Sequence, residues 1–237
     1  MNHTPRFTIL IPAYNEGNSV LAYLHRLNES LTLDFECLII VDSDTDTTIA
    51  AVLDFKSINP RFDYAVNLAG PGPAMALRHG FKIAKSDVVV VTMADGSDDP
   101  KDIEKLVLLV ERGVKIAAAS RYMPGGQQVG APLMKSLLSR LAGTSLRLFT
   151  RIGTHDSTNS FKAYDRNFVN QVGIESTQGF EIALELVAKA KRARAPIAEI
   201  PTIWIERVYG ASNFKIRKWL PSYLKWYFHA LGGKKKY

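Results

Sequence analysis

The sequence predicts an α/β fold, a mostly parallel central sheet flanked by helices. Three observations carry that prediction. Short apolar runs alternate with segments of helical spacing through the first half of the chain, as crossover connections in a parallel sheet require. One of those runs, Val88–Thr92, is β-branched throughout and reads as a central strand buried on both faces. Polar or acidic loops follow the runs directly, and in open α/β sheets ligands bind beyond the carboxyl ends of the strands.

Taken in order, Phe7–Ile11 is a short strand-like run closed by Pro12, and Gly17–Leu27 has helical spacing. Cys37–Val41 reads as a second buried strand, ending in the acidic loop Asp42-Ser43-Asp44-Thr45-Asp46. A helix over Thr47–Phe55, a strand over Tyr64–Leu68 and a helix over Ala74–Lys85 follow. After the Val88–Thr92 strand come a helix at Pro100–Arg112 and a strand at Val114–Ala119. The second half is less regular. It holds an amphipathic helix at Leu133–Phe149, a polar loop at Thr154–Ser160 and a strand at Phe161–Tyr164. A helix at Phe180–Arg192, one strand at Ile197–Ile205 and the basic loop Glu206–Lys215 lead to an aromatic tail, Ile216–Leu231.

The chain has 237 residues, 46% of them hydrophobic, which suffices for one large domain with a filled core. No Gly-, Ser- or Pro-rich linker divides it and no repeat is visible. The division expected is a domain over 1–216 followed by a basic aromatic tail over 217–237. The single cysteine, Cys37, lies in a strand-like run, so it is expected to be a small core residue, and the count suits the cytoplasm. No run reaches the roughly 18 apolar residues that a membrane-spanning helix needs. A net charge of +7, concentrated in the C-terminal half, favours anionic partners such as phosphates, lipid headgroups or nucleic acid.

Among chemistry-bearing segments, Ala94-Asp95-Gly96-Ser97-Asp98-Asp99-Pro100 stands out. A carboxylate at the end of a buried strand can hold Mg²⁺ or Mn²⁺, hard cations that prefer oxygen ligands. Asp95 is the ligand expected there, and Asp99 reads as the cap of the helix that starts at Pro100. Asp98 could do either. Asp42, directly at a strand end, can accept hydrogen bonds from a nucleobase or ribose, whereas Asp44 and Thr45 suit a helix cap equally well. Pro71-Gly72-Pro73 lacks the Lys-Ser/Thr pair of a phosphate loop, and Ala13-Tyr14-Asn15-Glu16 stands where a dinucleotide glycine fingerprint would be. A P-loop kinase and a dinucleotide-dependent dehydrogenase are thereby disfavoured. The five histidines show no metal-ligand spacing, and no Gly-x-Ser-x-Gly elbow occurs; His155, beside Asp156 in a polar loop, is the one to watch.

In order along the chain, these segments resemble the family 2 glycosyltransferases of GT-A fold, in particular the dolichol-phosphate mannosyltransferases and other polyprenyl-phosphate glycosyltransferases. Ile11-Pro12-Ala13-Tyr14-Asn15-Glu16 resembles the family's opening Pro-x-Tyr-Asn-Glu, and Val41–Thr48 resembles its nucleotide loop, one residue shorter. Ser120-Arg121-Tyr122 with Gly125-Gly126 matches a Ser-Arg-Tyr…Gly-Gly segment, and Asp156–Lys162 is similar to Asp-x-Thr-Ser-Gly-Phe-Arg. Gly179-Phe180-Glu181 and Arg207–Ser212 complete a resemblance that covers about residues 6 to 216.

The resemblance implies that Pro12, Tyr14, Glu16 and Asp42 hold the nucleotide of a sugar donor. It further implies that Asp95 carries Mg²⁺ or Mn²⁺ with the diphosphate, which Arg207 also approaches. Lys135 and Ser139, one turn apart, would grip a lipid phosphate together with Arg121, and the four-residue spacing does put the first two on one helix face. Two departures stand out. Met93-Ala94-Asp95 replaces the family's Asp-Ala-Asp, so its first carboxylate is absent and Asp98 is the candidate substitute; Ser43 replaces an Asp of the nucleotide loop. Where the acceptor is a hydroxyl, as in extension of a surface glycan, a general base is needed and Asp156 is the candidate.

Relatives of this fold also act as sugar nucleotidyltransferases, but those open with a Gly-rich loop and a lysine. A non-enzymatic basic adaptor on nucleic acid or membrane would leave the acidic strand ends without a use. The tail mixes Trp219, Leu220, Tyr223, Leu224, Trp226, Tyr227 and Phe228 with basic residues, a composition that suits a helix lying on an anionic membrane or packed on the core, with Pro221 interrupting it. The location implied is the cytoplasmic face of a membrane, with a membrane partner subunit as a further candidate and no nucleic acid.

Overall fold

The structure is a computed structural model. It describes residues 4–131, 133–206, 216–235 and 237, apart from the side chains of 134, 135 and 216–218. Its elements are β1 (Phe7–Ala13), α1 (Ser19–Ser30), β2 (Phe35–Val41), α2 (Thr48–Ile58), β3 (Phe62–Val66), α3 (Pro73–Ile83), β4 (Val88–Val91), α4 (Ile103–Glu111) and β5 (Ile116–Ser120). There follow β6 (Gln127–Val129), α5 (Leu133–Thr150), β7 (Lys162–Asp165), α6 (Arg166–Val172), α7 (Glu181–Ala193), β8 (Ile197–Pro201), β9 (Ile203–Ile205) and α8 (Ile216–Leu231).

Seven strands form one sheet in the order β3-β2-β1-β4-β7-β5-β8, and β6 pairs with β9 in a small second sheet. All pairs in the large sheet are parallel except those of β7, which runs against β4 and β5. The α/β class and the mostly parallel sheet are as the sequence predicts.

Alternation along each strand divides the core. Phe7, Ile9 and Ile11 of β1 and Val88 and Val90 of β4 face α1, α2 and α4, whereas Leu10, Val89 and Val91 face α3, α6 and α7. Both faces are covered, which is why the strands read as unbroken apolar runs. The parallel register aligns the carboxyl ends: Ala13 lies beside Val41, and Val41 beside Val66. Tyr14, Asp42 and Asn67, the residues immediately after those strands, therefore emerge at one edge. Thr92 joins them, since its N–H donates to the Leu10 carbonyl.

Several boundaries differ from the sequence reading. β1 continues through Pro12 to Ala13, because the strand partner of Pro12, Ile40, holds the backbone extended. The run Ile197–Ile205 is two strands in different sheets: β8 pairs with β5, and after Thr202 the chain switches so that β9 pairs with β6. α8 runs through Pro221 rather than breaking there. β6 and α6 have no counterpart in the sequence reading. Three residues show no periodicity, and α6 is signalled only by Asp165, which caps it by accepting from the Phe168 N–H at 2.9 Å. Cys37 is wholly buried, as expected of a core thiol.

The tail is in part core. Trp219, Trp226 and Ala230 of α8 are buried against α7 and its neighbours, while Leu220, Leu224, Phe228 and Leu231 recur at helical spacing on the outer face. No helix among the described residues is long and apolar enough to cross a membrane.

Candidate active site

At the carboxyl edge of the sheet opens a cleft of about 1210 Å³. One wall carries the strand-end loops, with Pro12, Tyr14, Glu16, Asp42 and Asp95 lining it. Arg121, Ser139 and Thr158 line it as well. A third side is apolar, built by Leu138 and Ala142 of α5 and by Leu220, Leu224 and Phe228 of α8. Tyr14 is 61% exposed, its ring free to meet a planar ligand.

Loop geometry fixes the first wall. Asp46, nearly buried, accepts from the Asn15 N–H at 2.9 Å and from the Thr48 N–H at 2.8 Å, so it caps α2 and ties the Tyr14 loop to it. The capping role thus falls to Asp46 rather than to Asp44 or Thr45. Asp42 accepts from Asn67 Nδ2 at 3.0 Å and from the Gly72 N–H at 2.7 Å. The backbone at Gly72 has φ +104°, and a Cβ there would lie 3.0 Å from the Gln178 carbonyl oxygen, so only glycine brings this N–H to the carboxylate. Asn67 and Gly72 were not candidates in the sequence. A conformational need for glycine, hidden between two prolines, is their only local trace.

Asp95 Oδ1 accepts from the Ser97 N–H at 3.1 Å and from the Ser97 hydroxyl at 2.6 Å. Its Oδ2 has no hydrogen-bond partner among the described residues. Asp98 turns the other way. Gly96, at φ +70°, reverses the chain, and Asp98 is 2% exposed. It accepts from the Thr92 hydroxyl at 2.9 Å and the Met93 N–H at 3.2 Å. Burial, followed by the nearby Asp95 charge, pushes its pKa up to about 7. Asp98 is absent from the cleft lining, so it does not replace the carboxylate missing at Met93. Asp99 caps the following turn by accepting from the Lys101 N–H at 3.1 Å, as expected.

The Arg121 wall rests on a buried ion pair. Asp156 is wholly buried, and its carboxylate accepts from Arg121 Nε at 2.7 Å and Nη2 at 2.9 Å and from the Arg121 N–H at 3.1 Å. Burial alone would raise the Asp156 pKa. The Arg121 charge and its hydrogen bonds outweigh that and hold the carboxyl below its ordinary range. An inaccessible, weakly basic carboxylate cannot take a proton from an acceptor hydroxyl, so the base role considered for Asp156 has no support in this geometry. Asp156 positions Arg121. The guanidinium in turn donates from Nη2 to the Ser139 hydroxyl at 3.1 Å, and Ser139 shares a 2.6 Å hydrogen bond with Thr158.

Lys162 lies beneath this wall, wholly buried, with Nζ donating to the carbonyls of Ser157 and Asn159. Burial lowers its pKa to about 7, against the opposing pull of Asp156. His155 is a loop anchor: its Nδ1 lies 2.6 Å from Glu199 Oε1, and its N–H donates to Glu199 Oε2 at 2.7 Å. Arg207 and the side chain of Lys135 lie outside the described residues.

The helix α5 reaches the loop that follows it through Gly143, where a Cβ would overlap the His155 carbonyl oxygen. Gly143→Ala is therefore expected to push α5 away from His155–Asp156. The expected result is a melting temperature lower by roughly 5 °C, about 2 kcal/mol of overpacking strain, with acceptor KM raised; thermal denaturation and steady-state kinetics check it.

The family model for glycosyl transferase family 2 matches residues 8–173. The chain is 26% identical over 232 residues to polyprenol monophosphomannose synthase of Mycolicibacterium smegmatis, covering 91% of this chain and 87% of that protein. It is 28% identical over 218 residues to dolichol-phosphate mannosyltransferase of Pyrococcus furiosus, covering 89% of this chain and 59% of the relative's length. Among solved structures, a mannosyltransferase from Pyrobaculum calidifontis bound to GDP-mannose and Mn²⁺ superposes with TM-score 0.67 at 19% identity, over 100% of this chain and 67% of that one. Glucosyl-3-phosphoglycerate synthase from Mycobacterium tuberculosis, bound to Mn²⁺, UDP and glucosyl-3-phosphoglycerate, gives 0.68 at 15% identity, over 98% and 81%. These likenesses agree with the fold read from the strand order. With the family model spanning the strand-end loops and both walls of the cleft as far as α6, the chain belongs to glycosyl transferase family 2.

Proposed function

We propose that this chain transfers a hexose from a nucleotide sugar to a polyprenyl phosphate, with inversion at the anomeric carbon. One observation carries the reading: the strand-end carboxylates, the Arg121 cradle and an apolar surface line one cleft. The first wall suits a nucleoside diphosphate sugar, the second a phosphate, and the apolar side the chain that a lipid phosphate brings. The names of the two mannosyl-transferring relatives support the same acceptor class.

Pro12, Tyr14, Glu16 and Asp42 would hold the nucleotide. The residues present fit a divalent cation that arrives with the donor. Asp95 offers one carboxylate oxygen to the cleft, and Mg²⁺ or Mn²⁺ is commonly held by one or two carboxylates together with substrate phosphates and waters. Among the described residues no three metal-binding side chains come together, so a donor diphosphate would have to supply further ligands beside Asp95. Such an ion neutralises charge on the departing diphosphate. Arg121 and Ser139, with Lys135 as a further candidate, would orient the acceptor for in-line attack on the anomeric carbon, and Arg207 would approach the donor diphosphate. A phosphate oxygen is already ionised at neutral pH and needs no strong base, in keeping with the burial of Asp156.

The test is transfer from radiolabelled GDP-mannose and, separately, UDP-glucose to a short polyprenyl phosphate with Mn²⁺ or Mg²⁺. Product extractable into organic solvent and stable to phosphatase is expected. Transfer to a free glycan hydroxyl and none to the lipid phosphate would reject the reading.

In this reading residues 1–216 form the catalytic domain and 217–237 the helix that meets the cytoplasmic face of a membrane. α5 supports it with outward Leu133, Leu137, Leu141, Leu148 and Phe149, and α8 with Leu220, Leu224 and Phe228, flanked by Arg140, Arg147 and Lys225. Deleting the tail would uncover the core around Trp226, so surface substitutions are the cleaner probe. The triple variant Leu220→Ser, Leu224→Ser, Phe228→Ser is expected to lower partition onto anionic vesicles at least about tenfold with melting temperature unchanged. Equal sedimentation of variant and parent would sink the membrane assignment.

A further inference from the structure

Gln128 is tied down at one end of its carboxamide and open at the other. It stands on β6 opposite Trp204 of β9 and lines the cleft, half-buried. Its Oε1 accepts from the Tyr122 hydroxyl at 3.0 Å and from the Ser136 hydroxyl at 2.9 Å. An amide oxygen has two lone pairs, so both are taken and the plane of the group is set. Its Nε2, with two N–H donors, finds no acceptor among the described residues.

The supports of this amide are those of the Arg121 wall. The Tyr122 ring lies 4.9 Å from the Arg121 guanidinium carbon and 5.8 Å from that of Arg140. Ser136 precedes Ser139 by three residues on α5, so both belong to one face of that helix. Arg121 also sits 6.0 Å over Trp204, the strand neighbour of Gln128. One network of hydroxyls and rings thus aims the Arg121 charge and orients the Gln128 amide. A donor with no partner among the described residues, at the rim of a cationic site, suits a multiply charged oxyanion, because each non-ester oxygen can accept more than one hydrogen bond.

We propose that Gln128 Nε2 donates a hydrogen bond to a non-ester oxygen of the acceptor phosphate, so that Gln128 helps the site select a phosphate monoester over a neutral alcohol. The inference rests on the phosphate-acceptor reading above. It adds a binding residue from outside the strand-end loops and outside α5, contributed by the small second sheet. The opposite orientation of the carboxamide would aim a carbonyl oxygen at the phosphate and repel it.

Gln128→Glu isolates the donor. The carboxylate keeps an oxygen for Tyr122 and Ser136, matches the amide in shape, and puts a negative oxygen where Nε2 stood. Gln128→Leu removes the donor without adding charge. With farnesyl phosphate as acceptor, Gln128→Glu is expected to raise acceptor KM at least about 30-fold and Gln128→Leu about tenfold, donor KM staying within twofold. Binding of farnesol, which lacks the phosphate, should change less than twofold in either variant. An unchanged acceptor KM in both variants overturns the inference, as does a rise confined to donor KM, which would assign the amide to the sugar. If the parent enzyme transfers to no polyprenyl phosphate, the acceptor reading itself falls and this inference with it. Normal parent activity with indifferent variants removes the Gln128 role alone.

Discussion

Asp95→Asn is expected to lower kcat/KM by roughly 10³-fold at saturating Mn²⁺, about 4 kcal/mol of barrier. The substitution is nearly isosteric. An asparagine Oδ1 still accepts from the Ser97 N–H and hydroxyl, so the loop keeps its bonds and the fold is preserved. What goes is the charge at the oxygen that has no partner among the described residues. Asp98 cannot take over, because its carboxylate is committed to Thr92 and Met93 and is 2% exposed. With Met93 at the place of a second carboxylate, Asp95 is the acidic side chain of this loop that lines the cleft. Steady-state transfer assays and thermal melts of parent and variant check both halves of the expectation. A variant within fivefold of the parent at saturating metal would contradict the assignment of the diphosphate end of the cleft.

Asp156→Asn is expected to cost about 3–5 kcal/mol of stability, a drop in melting temperature of roughly 10 °C, and to abolish measurable turnover. Arg121 stays charged at any pH used. Without its partner it faces an amide that can accept from one side only, and Lys162 beneath loses the same counter-charge. The pH dependence has a defined sign. A carboxyl held below its ordinary range in the folded state contributes stability above the unfolded value of about 3.9, and loses it as pH falls through the folded value. The part of the melting-temperature gap between parent and variant that comes from the Asp156 charge should therefore narrow below about pH 4. A melting temperature within 2 °C of the parent at pH 7 would mean that the pair does not hold the wall together.

Much of the molecule is legible in the linear order of residues. β-Branched and apolar runs of four to seven residues can be satisfied only by a sheet covered on both faces, and the segments between them carry helical spacing; that alone selects the α/β class. Parallel strands place their carboxyl ends together, so Tyr14, Asp42 and Asp95 had to share an edge once those strands were recognised. The limits of that reading are equally specific. Ile197–Ile205 looks continuous because apolar alternation is blind to which partner a strand finds. The stretch 217–237 reads equally as a helix on a membrane or one packed on the core, because composition does not reveal that Trp219 packs on Gly179, where a Cβ would meet the indole at 2.5 Å.

The sequence by itself determined the layer order of the fold and the set of polar side chains delivered to one rim, since both follow from local periodicity and strand direction. Only the tertiary structure decided which of those side chains face the cleft. Gly96 turns the Asp95 loop so that Asp98 goes inward, Asp156 disappears beneath Arg121, and β9 closing on β6 brings Gln128 to the rim. The reason is physical: the direction of a loop carboxylate or amide is set by the donors that other segments bring to it, and those contacts join residues tens of positions apart.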